Sequence, residues 1–262
     1  MSLSFTKNSQ NDKEIAYLID DGSAVDCVYY IDEDNLTEDE EQLKRVRLNS
    51  EIESFLPVIT SFEDNKQVDR VYICGETGSG KSTFISIYAK LFHLKYPKSK
   101  IYLFSSKKED ETLDKLKYIE RINVDDSVIN DPYSVKDISA RSKTSLVIFD
   151  DIQDYPNKKI NQEIARFRDE LMRNGRGNGV YTMFVHHDPC DYKATKSMIF
   201  EANKIVIFPK RSGEGAYNYL LEKKLHLNKK YIDSVNNLKS DWVLINKANP
   251  KYILSNKYIL LT

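Results

Sequence analysis

One stretch of eight residues, Gly75-Glu76-Thr77-Gly78-Ser79-Gly80-Lys81-Ser82, limits this chain more than any other feature. It satisfies G-x-x-x-x-G-K-[ST] at every position, with an apolar run, Val71–Cys74, before it and a segment of helical spacing, Thr83–Leu94, after it. Glycines let such a backbone curl so that successive N–H groups point inward at phosphate oxygens. The helix beginning near Lys81 adds its positive amino end. In that arrangement Gly75 to Ser82, with Thr83, hold the phosphates of ATP, Lys81 reaches the β- and γ-phosphates, and Ser82 ligates Mg2+. A glycine-rich turn that binds nothing is the alternative, and the complete motif with both flanks argues against it.

From Arg70 onward short apolar runs alternate with helical segments, the pattern of buried parallel strands in an α/β fold. The expected strands are Val71–Cys74, Ile101–Ser105, Leu146–Asp150, Val180–Val185 and Ile205–Phe208. Apolar spacing predicts helices over Thr83–Leu94 and Ile160–Met172. The tail from Trp242 to Leu261 reads as two or three further strands.

Ser145-Leu-Val-Ile-Phe-Asp-Asp151 is an apolar strand ending in two carboxylates, at the strand end where open α/β sheets bind ligands. Asp150 is expected to hold Mg2+ through water and Asp151 to orient or deprotonate the attacking water, as phosphoryl transfer requires. Paired acids can equally cap a helix or sit in a loop; the upstream phosphate loop favours the catalytic reading. Val180–Val185 ends in His186-His187-Asp188-Pro189, which brings a polar side chain to the same site if this strand neighbours the Asp150 strand. His187 is the candidate sensor of the γ-phosphate or the attacking water, against the plainer role of a surface or capping histidine. Arg176, in the turn Arg173-Asn174-Gly175-Arg176-Gly177-Asn178-Gly179, is either an arginine finger for a neighbouring subunit's ATP or a solvated charge on a glycine turn.

Residues 1–66 read as an N-terminal appendage and 67–262 as the ATPase domain with C-terminal strands. In the appendage, β-like runs Ile15–Ile19 and Val25–Ile31 flank a turn at Asp20-Asp21-Gly22-Ser23. Thr37 and Glu40 have capping-box spacing, followed by a weak helical stripe of Leu43, Val46 and Leu48. With 39 basic and 40 acidic residues the chain has no global attraction to nucleic acid, so any such surface comes from local charge. Three scattered cysteines, Cys27, Cys74 and Cys190, match neither a zinc site nor a disulfide framework. No apolar run reaches membrane-spanning length, and a soluble protein of a reducing compartment is expected.

These residues resemble the FtsK-HerA superfamily of ring translocases, and within it the poxvirus-type genome-packaging ATPases of nucleocytoplasmic large DNA viruses and virophages. The resemblance runs from about Leu48 to the C-terminus. Besides the phosphate loop and Phe149-Asp150-Asp151 it is carried by Phe55-Leu56-Pro57-Val58, Phe104-Ser105-Ser106-Lys107, Asn174-Gly175-Arg176, Asn203 with Phe208-Pro209, and Ser240-Asp241-Trp242-Val243. The chain departs from the group in three places. Gly177 stands where a histidine is frequent, His187 where glutamine is common, and Asp241 where an arginine is usual.

The resemblance implies a RecA-like α/β core with a mainly parallel central sheet, a small N-terminal β/α appendage and a C-terminal β-rich tail. It further implies a homo-oligomeric ring, hexameric or pentameric, that uses ATP and Mg2+ to drive double-stranded DNA into a preformed capsid at a portal vertex, in the virion or a cytoplasmic viral factory. Such translocation grips phosphates without reading bases. Lys107 and Lys108, and Lys210 and Arg211, are candidates for that contact, against the plainer reading of exposed solvated charges that the residues favour for each pair, whereas Lys223-Lys224 and Lys229-Lys230 read as ordinary helix surface. Two other functions fit a phosphate loop: a P-loop kinase of small metabolites, for which no arginine-rich lid is evident, and a non-motor assembly or partition factor.

Overall fold

The structure is a computed structural model that describes residues 2–32, 43–152, 156–189, 192–213, 215–238 and 240–262. In chain order the strands are β1 (Ser2–Ser4), β2 (Lys13–Asp20), β3 (Ser23–Ile31), β4 (Arg45–Arg47), β5 (Ser54–Pro57), β6 (Arg70–Cys74), β7 (Lys100–Ser105), β8 (Ile119–Asn123), β9 (Ser145–Asp150), β10 (Val180–His186), β11 (Lys204–Ile207), β12 (Val243–Asn246), β13 (Tyr252–Ser255) and β14 (Tyr258–Leu261). The helices are α1 (Phe62–Asn65), α2 (Lys81–Lys95), α3 (Ser127–Asn130), α4 (Val135–Ser139), α5 (Lys158–Asn174), α6 (Tyr192–Glu201) and α7 (Lys229–Asn237). They form two compact units, residues 59–205 and residues 1–58 with 206–262. The appendage expected over 1–66 shares its first 58 residues with the second unit, which also takes in 206–262.

In the 59–205 unit the strand order is β6-β10-β9-β7-β8, with the first two residues of β11 on the β6 side. The β6–β10, β10–β9, β9–β7 and β7–β8 pairs are all parallel. This is the α/β architecture with a mainly parallel sheet that the sequence predicts. Every residue of β9 and β10 is buried, which is why both read as unbroken apolar runs rather than alternating ones. Phe104, Phe149, Phe167 and Phe184 pack ring against ring through the core, with centroids 5.4 to 5.8 Å apart, Phe149 stacked on Phe104 and Phe184 and Phe167 inclined to its neighbours. Helix α5 turns Ile160, Ile164, Phe167 and Leu171 inward at helical spacing, and Asn157 caps it by accepting from the Lys159 N–H at 3.0 Å. Strand β8 is absent from the sequence expectation. Its residues, Ile-Glu-Arg-Ile-Asn, lie at the sheet edge with no fully buried position, so charge obscures the apolar signal.

The amino ends of the strands are tied by a buried ion pair. Lys204 Nζ lies 2.8 Å from Asp69 Oδ1, and Asp69 also accepts from Thr60 Oγ1 (2.5 Å), the Thr60 N–H (3.1 Å) and Tyr88 OH (2.6 Å). Burial opposes the Asp69 charge, yet Lys204 and the two hydroxyls outweigh it and hold the carboxyl below its usual range. Asn203 completes this end by accepting from the Arg70 N–H (2.8 Å) and donating to Val68 O (2.9 Å).

The other unit contains the antiparallel sheet β1-β3-β2-β5, in which β2 and β3 form the expected hairpin across Asp20–Ser23. It also contains the antiparallel run β4-β14-β13-β12, so the tail does form three strands. The helical stripe expected from Leu43, Val46 and Leu48 is corrected. Arg45–Arg47 is a strand in which Val46 pairs with Ile259 while the arginines face water. Three apolar residues make a weak helical signal, and pairing with β14 overrides it. Thr37, Glu40 and Cys190 lie outside the described residues.

Replacing Asp69 with Ala strands the Lys204 charge in the core and should cost about 3–5 kcal/mol, read as a lowered denaturant midpoint at pH 7. Because the Asp69 pKa is depressed in the folded state, the stability it contributes is present above the ordinary carboxylate pKa and is lost as pH falls through the folded value.

Candidate nucleotide site

Strand β10 lies between β6 and β9, with His186 in register with Cys74 and Phe184 with Phe149. The three carboxyl ends therefore emerge side by side, carrying the phosphate loop, His187 and the Asp150-Asp151 pair. The Gly75 N–H donates to His186 O (3.2 Å), fixing the start of the loop to the end of β10. Gly78 and Gly80 take φ values of +79° and +108°, a backbone that residues with side chains rarely adopt. The curl they allow lets α2 begin at Lys81, so the first-turn N–H groups open into the loop. Ser79 Oγ is buried and has no hydrogen-bond partner, a free donor and acceptor inside the loop.

Lys81 is buried, and its ammonium donates to Gly75 O (2.7 Å) and Glu76 O (2.9 Å) with His187 Nδ1 3.3 Å away. Burial pushes its pKa down, and Asp151 and Asp150 pull it back up. His187 Nδ1 also lies 3.5 Å from Thr77 Oγ1, and its Nε2 sits 2.5 Å from Asp151 Oδ1 without the alignment of a hydrogen bond. His187 thus bridges the loop lysine and the second acid. Asp151 takes a left-handed backbone, φ +52°. Burial raises its pKa, but the hydrogen bond and charge of Lys107, then His187 and Lys81, hold it below the usual carboxylate range.

Asp150 differs from its neighbour. It is only 3% exposed, and burial together with the adjacent Asp151 charge pushes its pKa up to about 6. A buried carboxylate at this position fits a hard cation. Ser82 Oγ is the other oxygen donor, here donating to Asp110 Oδ2 at 2.9 Å, and Asp110 adds negative charge that bears on Asp150. Mg2+ takes one or two protein oxygens and leaves its other positions to water and phosphate, and Ser82 and, through water, Asp150 are the residues that would hold it.

The structure does not bring Arg176 to this group. It is exposed in the 3-10 turn Arg176–Asn178, before the amino end of β10, and its charge bears on Arg70, whose pKa is lowered chiefly by burial. The seven residues of β10 put about 20 Å between that turn and the phosphate loop. The flanking glycines have a packing reason. A Cβ at Gly175 would come within 2.4 Å of Leu171 O, and one at Gly179 within 2.5 Å of Lys143 O. Lys107, a sequence candidate for gripping nucleic acid, is half exposed with its ammonium on Asp151 Oδ2, and Lys108 is exposed. Lys210, another such candidate, pairs with Asp241 at 2.9 Å. Asp110 was missed because it sits in the charged run 107–111, which reads as solvated loop.

No protein-family model matches the chain. Uncharacterized protein V3 of the Sputnik virophage is 36% identical over 185 residues, 70% of this chain and 73% of its own length. Among solved structures, the pCW3 conjugation coupling protein TcpA in its monomer form with ATPγS aligns with a TM-score of 0.50 at 15% identity, over 94% of this chain and 77% of that one. B204, the DNA-packaging ATPase from Sulfolobus turreted icosahedral virus, aligns with a TM-score of 0.49 at 16% identity, over 72% of this chain and 97% of that one. The fold is that of the P-loop NTPases.

Asp150 ionised at neutral pH is a cost to the folded protein, because its pKa is raised from 3.8 to about 6. Stability measured without nucleotide or Mg2+ should therefore fall as pH rises from about 4 to about 6. Asp150→Asn should be more stable than wild type at pH 7.5 by about 1–3 kcal/mol, and the gain should vanish near pH 4.

Proposed function

This chain belongs to the family of the Sputnik virophage protein V3, and we propose that it is a P-loop ATPase that powers packaging of a viral genome. The observation that carries the reading is the convergence of Lys81, Asp150, Asp151 and His187 at the adjoining carboxyl ends of β6, β9 and β10. That grouping is what phosphoryl transfer to water needs: a cradle, a cation site, a base and a group bridging base and cradle.

Gly75 to Thr83 bind the triphosphate, and Lys81 turns its ammonium from the Gly75 and Glu76 carbonyls to the β- and γ-phosphates. Ser82 and Asp150 would hold Mg2+, which supplies positive charge against the phosphate oxygens. Asp151 accepts the proton of a water whose oxygen bonds to the γ-phosphorus while the bond from that phosphorus to the β,γ-bridging oxygen breaks and ADP leaves. His187, between Lys81 and Asp151, senses the γ-phosphate. Arg176 acts in trans: the length of β10 keeps it from its own subunit's phosphates, so its target is the ATP of a neighbour in a ring, hexameric or pentameric. Double-stranded DNA, gripped by its phosphates, and a capsid or portal vertex are the partners, in the virion or a viral factory. Among the described residues no helix is long and apolar enough to cross a membrane.

The steady-state ATPase rate across a protein concentration series, with and without long double-stranded DNA, tests this reading. A rate per subunit that rises with concentration and again with DNA supports the ring motor; a rate flat in both points to a kinase-like or switch-like protein. Asp151→Asn should bind nucleotide within a few-fold of wild type and lose about 10²–10⁴-fold in turnover. Arg176→Ala should be inactive alone yet regain activity when mixed with Asp151→Asn, because the two lesions fall in different interfaces. Absence of rescue in a titrated mixture makes Arg176 a cis-acting or structural residue.

A further inference from the structure

The segment after β7 holds Asp151 by both its backbone and its side chain. Ser106 Oγ donates to Asp151 O at 2.5 Å, and the Lys107 ammonium lies on Asp151 Oδ2. The segment is itself braced. The Lys107 N–H donates to Ser105 Oγ (3.1 Å), and Arg121 donates one guanidinium N–H to Lys107 O (3.0 Å) while pairing with Asp114 (2.5 Å). Asp114 in turn accepts from the Asp110 N–H at 2.7 Å, so the loop from Ser105 to Asp114 is cross-tied.

What Asp151 lacks by itself is a reason to stay in place. Its left-handed backbone is one that a non-glycine residue adopts only when its surroundings hold it there. Its two carboxylate oxygens face different partners, Oδ2 towards Lys107 and Oδ1 towards His187. Lys107 occupies one oxygen and leaves the other turned to the side of the site where Lys81 and His187 meet.

We propose that Lys107 is a positioning residue for the ATPase reaction, one that with Ser106 fixes Asp151 so that a single carboxylate oxygen faces the attacking water. The proposal rests on the ATPase reading and deepens it. Lys107 acts through Asp151 and touches neither nucleotide nor nucleic acid. A guanidinium can reproduce the ion pair; an uncharged side chain cannot hold the carboxylate in the same way.

The test uses the full chain in four forms, wild type, Lys107→Ala, Lys107→Gln and Lys107→Arg, with kcat and KM for Mg-ATP measured with and without double-stranded DNA. Affinity for ATPγS is measured on each. Because half of the Lys107 side chain is exposed, all four forms are expected to fold, and ATPγS binding reports that they have. Lys107→Ala and Lys107→Gln should lose on the order of 10²-fold in kcat, the scale of a small displacement of a catalytic group. Their KM and ATPγS affinity should stay within about threefold, and Lys107→Arg should keep kcat within about tenfold of wild type. An unchanged or raised kcat in Lys107→Ala overturns the proposal. So does a defect confined to the DNA-stimulated rate, which would return Lys107 to a nucleic-acid contact, or a defect that appears only in KM. A wild-type protein without turnover overturns the ATPase reading and this proposal together, whereas normal wild-type turnover with unaffected variants overturns the proposal alone.

Discussion

The parallel hydrogen bonding of β10 to β6 on one side and β9 on the other is the constraint on which the rest of the site depends. Neither the phosphate loop nor the acid pair is a site alone, because each contributes only one side of the volume a triphosphate and its water would fill. Inserting β10 between them sets their separation at two strand spacings, about 9.5 Å. It also delivers His187 into the gap, where it lies within 3.5 Å of Thr77, Lys81 and Asp151.

The two acids at the end of β9 show how little distance separates opposite electrostatic outcomes. Asp150 is the last residue of a wholly buried strand, and its charge is opposed by desolvation and by its neighbour. Asp151, one residue on, leaves the strand with a left-handed turn and meets Lys107, Lys81 and His187, which hold it ionised. The same strand end therefore sets two adjacent acids in opposite electrostatic surroundings through its change of backbone direction.

Stability and chemistry are placed at opposite ends of the parallel sheet. The Asp69–Lys204 pair, with Thr60, Tyr88 and Asn203, closes the amino ends with every charge compensated. The carboxyl ends keep Asp150, whose charge Lys107 and Lys81 offset less than burial and Asp151 oppose it, and an unpartnered Ser79 hydroxyl, polar groups that a packed core accommodates poorly.

The residues alone determined the shape of the loop from Gly75 to Ser82, because it is set by local backbone curl: glycine φ freedom, a strand before it and a helix start after it. They also determined the buried strands and long amphipathic helices, since period and burial leave their mark within a dozen residues. Edge elements were less legible. The charges of β8 and the brevity of β4 left the outcome to pairing with neighbours. Only the tertiary structure decided which strands adjoin, for a strand buried on both faces reads the same whatever lies beside it. It decided too that Arg176 stands at the end of β10 away from the loop, and that the ammonium of the half-exposed Lys107 meets Asp151. A charged side chain in a loop carries no sequence mark of its partner, because that partner is chosen by strand order across the sheet and not by anything within the loop itself.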